Sequence, residues 1–215
     1  MAGVPLDPDE VRACLKGTGT MLPAGAYTDD AVLAWERRVL LGGGWVCVGR
    51  STDVAEPRSR RAVPLDESAV LLVRGDDGVL RGFHNTCRHR AQELLPCGAT
   101  ATGRFIACPY HNWTFDLDGS LHKVPAEHRD GLGTGEYGLV PVAVAEWQGF
   151  VFVNADGSAA PVSTYFAGLD ERLAPYGIDR LVVAAEHVYE LAANWKLAIE
   201  NYHECYHCPS IHPQL

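Results

Sequence analysis

The sequence predicts an α+β chain, with a small antiparallel β domain in the middle and helical segments on either side. Three observations carry this expectation. Short apolar runs broken by Gly and Asp crowd residues 44–155, an amphipathic pattern precedes them, and helical spacing returns after Trp195.

Residues 1–27, with Pro5, Pro8 and Pro23, read as an irregular leader. Thr28-Asp29-Asp30 then looks like a helix start with Thr28 as N-cap. Ala31, Leu33, Ala34, Val39, Leu40 and Leu41 supply a short amphipathic helix that Gly42-Gly43-Gly44 ends, closing a first segment over 1–43. The second segment, 44–155, is strand-like at Trp45–Gly49, Ala69–Arg74, Val79–Phe83, Arg104–Ala107, Trp113–Leu117, Leu139–Glu146 and Phe150–Asn154. Turn residues such as Gly75-Asp76-Asp77-Gly78 separate these runs, as a small antiparallel β domain requires. Asp156-Gly157-Ser158 opens the third segment, 156–215. It reads as a helix to Tyr176-Gly177, a β-like run from Leu181 to Leu191, and a helix from Trp195 to about His207. On that last helix Glu200, Glu204 and His207 share a side, at spacings of four and three.

A chain of 215 residues holds one ordinary domain plus part of another, and 47% hydrophobic residues suit a globular protein. The formal net charge of −9 argues against a nucleic-acid partner, and Arg58, Arg60 and Arg61 form only a short solvated basic run. No stretch approaches the roughly 20 apolar residues of a membrane span, and the first residues lack the basic flank and apolar core of a signal peptide. A cytoplasmic protein with no membrane partner is expected. Seven cysteines, an odd number without an export signal, favour metal ligation over a disulfide framework.

The richest stretch is Cys87-Arg88-His89, eighteen residues, then Cys108-Pro109-Tyr110-His111. Two thiolates and two imidazoles on two loops suit a [2Fe–2S] cluster in which one iron takes two Cys and the other two His. Neutral imidazole in place of thiolate eases reduction, to roughly −150 to +300 mV. Zinc also takes Cys2His2, usually with two to four residues between paired ligands. The single residue between Cys87 and His89 is tight for one tetrahedral ion and suits two irons.

Cys87-Arg88-His89-Arg90, Cys108-Pro109-Tyr110-His111-Asn112-Trp113 and Asp116-Leu117-Asp118-Gly119 resemble the Rieske domains of ring-hydroxylating oxygenases. Asn112 departs from the usual Gly and is the next best residue for a positive φ. Respiratory Rieske proteins carry a Cys shortly after each ligand pair. Here Ala91, Gln92, Trp113 and Thr114 stand there, and Cys97 has no obvious partner, so the resemblance is to the oxygenase or ferredoxin subtype.

Two histidines and a carboxylate on one face of iron leave positions open for oxygen and substrate. Near the end of the chain, His207 and His212 lie four residues apart, with Pro209 putting His212 on a loop. Histidines there are often mere polar surface. Cys205 and Cys208 read as small buried thiols, and His84, His122, His128, His187 and His203 receive no metal role.

The run from Asn194-Trp195-Lys196 through Glu200-Asn201 to Glu204, His207 and His212 resembles the same family's N-W-K…E-N…[D/E]-x2-H-x4-H motif. That resemblance implies a mononuclear Fe(II) held by His207 and His212. It implies Glu204 as the acid linking a neighbouring subunit's Rieske histidine to the iron and accepting a hydrogen bond from His207, with Asn201 near the iron. In fold terms it implies a Rieske domain followed by the opening strand and helix of a helix-grip catalytic domain. The third, acidic iron ligand is expected beyond Leu215, since the resemblance covers only the first half of the usual protein.

The activity so implied is O2-dependent hydroxylation or oxidative demethylation. Electrons would come from a flavin- or ferredoxin-type reductase and cross a subunit boundary in a head-to-tail homotrimer. Glu204 and the Glu-Cys-Tyr-His-Cys-Pro run resemble members acting on quaternary ammonium compounds such as glycine betaine, choline and carnitine. An aromatic-ring-hydroxylating dioxygenase is the alternative. A Rieske electron carrier, or an inactive fragment, is the reading from a different class.

Overall fold

The structure, a computed structural model, describes residues 3–16, 21–125, 136–204 and 206–212. His128 and Cys205, considered above, lie outside the described residues. The chain divides into two compact units, one of residues 38–182 and one that joins 1–37 to 183–215. Sequence patterning suggests three consecutive segments instead, because it cannot see that the leader and the last helix fold together.

Among its described residues the 38–182 unit holds ten strands: β1 (Val46–Arg50), β2 (Ser59–Leu65), β3 (Ser68–Arg74), β4 (Leu80–His84), β5 (Thr100–Thr102), β6 (Ile106–Ala107), β7 (Thr114–Phe115), β8 (Leu121–Lys123), β9 (Pro141–Trp147) and β10 (Phe150–Asn154). They form a seven-stranded sheet, β1-β10-β9-β4-β3-β2-β5, and a three-stranded one, β6-β7-β8. Every pairing is antiparallel. β3 explains why the domain is stable. Val70 and Leu72 face one apolar cluster with Val63, Val142 and Val151, while Leu71 and Val73 face another with Phe83, Phe115 and Trp113. A strand covered on both faces reads as an unbroken apolar run, which Ala69–Val73 is. Each buried Leu or Val side chain contributes about 1.5–3 kcal/mol. The β9–β10 hairpin turns on Gln148 and Gly149, at φ 50° and 77°, the two positive angles a two-residue type I′ turn needs.

Beyond the sheets, the expected single helix after residue 161 is two short pieces, α4 (Val162–Tyr165) and α5 (Leu169–Leu173), followed by 3-10 turns. The Gly168 φ of 82° separates them.

The other unit corrects the leader. It contains α1 (Pro8–Lys16), α2 (Gly25–Thr28) and α3 (Asp30–Glu36), and a wider π-turn over Arg37–Gly42 continues the chain into the 38–182 unit. Pro8 sits at the first position of α1, where its missing N–H costs nothing. The N-cap of α3 is Asp29, whose carboxylate accepts the Ala31 N–H, and not Thr28, whose hydroxyl donates to the Ala24 carbonyl. The run Leu181–Leu191 pairs with no strand among the described residues, and Val182, Val188 and Tyr189 are exposed. Alternation alone does not make a strand; its N–H and C=O groups need a neighbouring chain.

The terminal helix, α6 (Trp195–His203), ends earlier than its spacing suggests. Glu204 is already extended, at φ −101° and ψ 137°. A second short helix, α7 (Cys208–Ile211), carries Pro209 in its first turn, where proline is tolerated and a through-running helix would not tolerate it. Glu204 and His207 therefore do not share a helix face with Glu200. Among the described residues no helix is long and apolar enough to cross a membrane.

Candidate functional site

Cys87 and His89 lie in the connection from β4 to β5, and Cys108 and His111 in the turn from β6 to β7. The two turns are built alike. The Cys87 N–H donates to the Gln92 carbonyl and the Ala91 N–H to the Cys87 carbonyl. In the same offsets the Cys108 N–H donates to the Trp113 carbonyl and the Asn112 N–H to the Cys108 carbonyl. Both turns are closed by a residue in the left-handed region, Ala91 at φ 55° and Asn112 at φ 54°. That is the demand expected at Asn112 from its replacement of glycine.

The turns pair the donors like with like, thiol with thiol and imidazole with imidazole. Cys87 and Cys108 are 2% and 1% exposed and belong to the apolar core. Burial pushes the Cys87 thiol up to about 11, and its hydrogen bond with the Cys108 thiol adds to the push, while the amides of His89 and Arg90 work the other way. The His89 and His111 rings meet edge to face at 4.8 Å between centroids, each with its Nδ1 atom buried.

A buried Cys87 thiol that resists ionisation, with amides aimed at its sulfur and the buried Cys108 thiol beside it, fits a site where metal displaces the proton. Among the described residues no three His, Cys, Asp or Glu side chains gather as one ion site. Two pairs of donors fit two irons better than one tetrahedral zinc. A [2Fe–2S] group thus fits the thiol pair and the imidazole pair.

Around the donors the surface is open. Tyr110, 59% exposed, lies over His111 at 3.8 Å between ring centroids. Arg88 and Arg90 are exposed on the first turn. Trp113 is buried beneath, stacked on His89 at 5.0 Å and 4° between planes. Neither aromatic drew a role from the sequence; their place one residue either side of the His111-Asn112 pair is the signal that was there to read.

In the other unit, His207 and His212 stand at the two ends of α7, their rings 5.5 Å apart at 74°. Glu204 Oε1 lies 3.3 Å from His207 Nδ1, the orienting hydrogen bond expected of it. Glu200, Asn201 and Glu204 line one side of an open cavity of about 450 Å³, with Cys14, Met21 and Leu22 on the other. Asn201 makes no hydrogen bond to either histidine among the described residues.

The Asn194-Trp195-Lys196 run does a job the spacing alone did not reveal. Asn194 caps α6 through the Lys196 N–H and donates to the Tyr27 carbonyl. Trp195 Nε1 and Lys196 Nζ both donate to the buried Glu36 carboxylate, at 3.0 and 2.7 Å. Tyr27 donates to Glu200 at 2.6 Å, and burial with that carboxylate beside it raises the Tyr27 pKa. A buried acid on an apolar helix face, Glu36, was the available clue.

Two family models match the chain, the Rieske [2Fe-2S] domain over residues 44–148 and the ring hydroxylating alpha subunit catalytic domain over 178–215. The glycine betaine monooxygenase oxygenase subunit of Chromohalobacter salexigens is 38% identical over 194 residues, covering 90% of this chain and 43% of its own length. The carnitine monooxygenase oxygenase subunit of Acinetobacter baumannii is 39% identical over 194 residues, covering 89% and 52%. A crystal structure of a quaternary ammonium Rieske monooxygenase in complex with L-carnitine superposes with a TM-score of 0.82 at 38% identity, over 89% of this chain and 55% of that one. The chain thus spans about half the length of the relatives it matches.

Proposed function

We propose, from the premise that this chain belongs with the alpha subunits of Rieske non-haem iron oxygenases, that it serves an O2-dependent monooxygenation of a quaternary ammonium compound. One observation carries the reading: two buried thiols and two imidazoles converge from turns of the same build. When bound, a Rieske cluster there supplies single electrons and a mononuclear iron activates dioxygen.

Cys87 and Cys108 would hold one iron of the cluster, and His89 and His111 the other. His207 and His212 would hold the mononuclear iron, with a carboxylate besides. Glu204 accepts from His207 Nδ1, fixing the tautomer that leaves Nε2 to face a metal. It also serves as the polar step toward a neighbouring subunit's Rieske histidine in a head-to-tail trimer. Asn201, on the cavity wall beside it, helps keep that path polar. The half-buried imidazoles at an exposed tip with Arg88 and Arg90 suit contact with an acidic electron donor, a flavin- or ferredoxin-type reductase. Residence in the cytoplasm belongs to the same proposal.

The quaternary ammonium class is favoured over an aromatic ring because the relatives named above act on glycine betaine and carnitine. Purified anaerobically, the protein should contain two irons and two sulfides per cluster and, once reduced, give the low average g-value of mixed Cys/His ligation. Cys87→Ser should abolish that signal; a colourless, zinc-loaded protein would overturn the reading. Supplied with reductase, oxygen uptake should rise on adding carnitine or glycine betaine and not naphthalene, and the reverse would favour ring hydroxylation.

A further inference from the structure

We infer that Trp113 is a positioning residue of the cluster site, fixing the plane of the His89 imidazole across the gap between the two ligand turns. The inference rests on the ligand assignment above and adds to it a residue that binds no metal.

Three observations point there. First, Trp113 belongs to the second turn and His89 to the first, yet their rings are parallel within 4° at 5.0 Å between centroids. Second, the backbone of Trp113 is tied to the other ligand pair, because its carbonyl accepts the Cys108 N–H at 2.8 Å. A single residue is thus linked through its main chain to a thiol ligand and through its ring to an imidazole ligand.

Third, Trp113 is 2% exposed and its Nε1 is buried with no hydrogen-bond partner among the described residues. A buried indole N–H normally finds an acceptor. Without one, packing alone orients this ring, and the packing is the stack on His89 and an edge contact with Tyr137 at 5.8 Å. Displaced parallel stacking adds attraction beyond area burial and favours one ring plane over rotation about a soft terminal torsion. The contacts of His111 with Tyr110 and His89 are tilted, by 38° and 74°. His89 is thus stacked parallel on a buried ring, and His111 lies beneath an exposed one.

The test is pulsed electron paramagnetic resonance of the reduced holoprotein, which reads the coupling of each histidine nitrogen separately, together with iron and sulfide content. Trp113→Phe keeps a ring to stack and removes the N–H; Trp113→Leu removes the stack. The expected result is that Trp113→Phe retains wild-type couplings, whereas Trp113→Leu loads the cluster but broadens or shifts one histidine set and leaves the other. Unchanged couplings in loaded Trp113→Leu would overturn the inference, and so would a Trp113→Phe spectrum as altered as that of Trp113→Leu. Should Trp113→Leu fail to load, Trp113→Phe decides alone, since native couplings support the stack and altered ones refute it. A wild-type protein with no iron–sulfur signal would instead sink the ligand assignment itself.

Discussion

Ala91 carries a φ of 55° in the first ligand turn, a conformation that costs an L-residue about 1–2 kcal/mol and a glycine almost nothing. Replacing it with glycine also loosens the unfolded chain, at a cost of about 0.4–1 kcal/mol. Strain relief wins, so Ala91→Gly should stabilise the protein by about 0.5–1 kcal/mol in denaturant unfolding. Asn112, in the matching place at φ 54°, tolerates that region through its short polar side chain. Asn112→Gly should therefore gain less than Ala91→Gly, and Asn112→Val should lose about 1–2 kcal/mol. Equal responses at the two positions would mean the turns are not equivalent in the folded state. The candidate ligand residues stand out in the sequence because cysteine and histidine have few other reasons to recur at such spacing. Trp113 was not, since nothing in one dimension tells which ring it will lie against.

Elements differ in how well they announce themselves. β3, β4, β9 and β10 stood out as apolar runs because at least one face of each is buried. β2 did not: Arg60 and Arg61 interrupt the pattern, and Pro64 reads as a breaker. It is admitted because the last β2–β5 pair is Arg61 with Thr100, so Pro64 has no strand on that side to donate to. β5 and β8, three residues each, are too short for any period to show. The end of β3 depends on a charge instead. Arg74, buried, makes two hydrogen bonds to Glu146 on β9, reaching past β4, and holds the Glu146 carboxyl below its usual range. A depressed carboxylate stabilises the fold above its unfolded pKa, and that share is lost as pH falls through the folded value. Acidification from pH 5 downward should thus erode stability, and Glu146→Gln should flatten the slope of unfolding free energy against pH in that window. Glu36→Ala should act more harshly. It strands the nearly buried Lys196 ammonium and the Trp195 N–H, at a cost of about 3–5 kcal/mol, visible as faster hydrogen exchange in α3 and α6 while the β strands stay protected.

On the scale of the whole molecule, the two metal sites are supported by different means. The thiols proposed to hold the cluster sit in the apolar core of the 38–182 unit, so stripping the metal should lower the thermal midpoint of that unit. His207 and His212 flank one short helix in the 183–215 stretch, and their loss should leave the midpoint of the β unit where it was. Calorimetry of His207→Ala beside the metal-stripped protein would separate the two; a shift of the β transition in His207→Ala would show that the units do not melt independently.

Glu36 and Lys196 are 160 residues apart. On a ribosome adding about 5–20 residues per second, the acid is synthesised roughly 8 to 32 seconds before its ammonium partner. All four donors on the two turns are translated within that interval, and so is the last strand of the 38–182 unit, which ends at Asn154. Birth order alone therefore lets the iron–sulfur turns assemble while the front of the chain is still waiting for its closing partner.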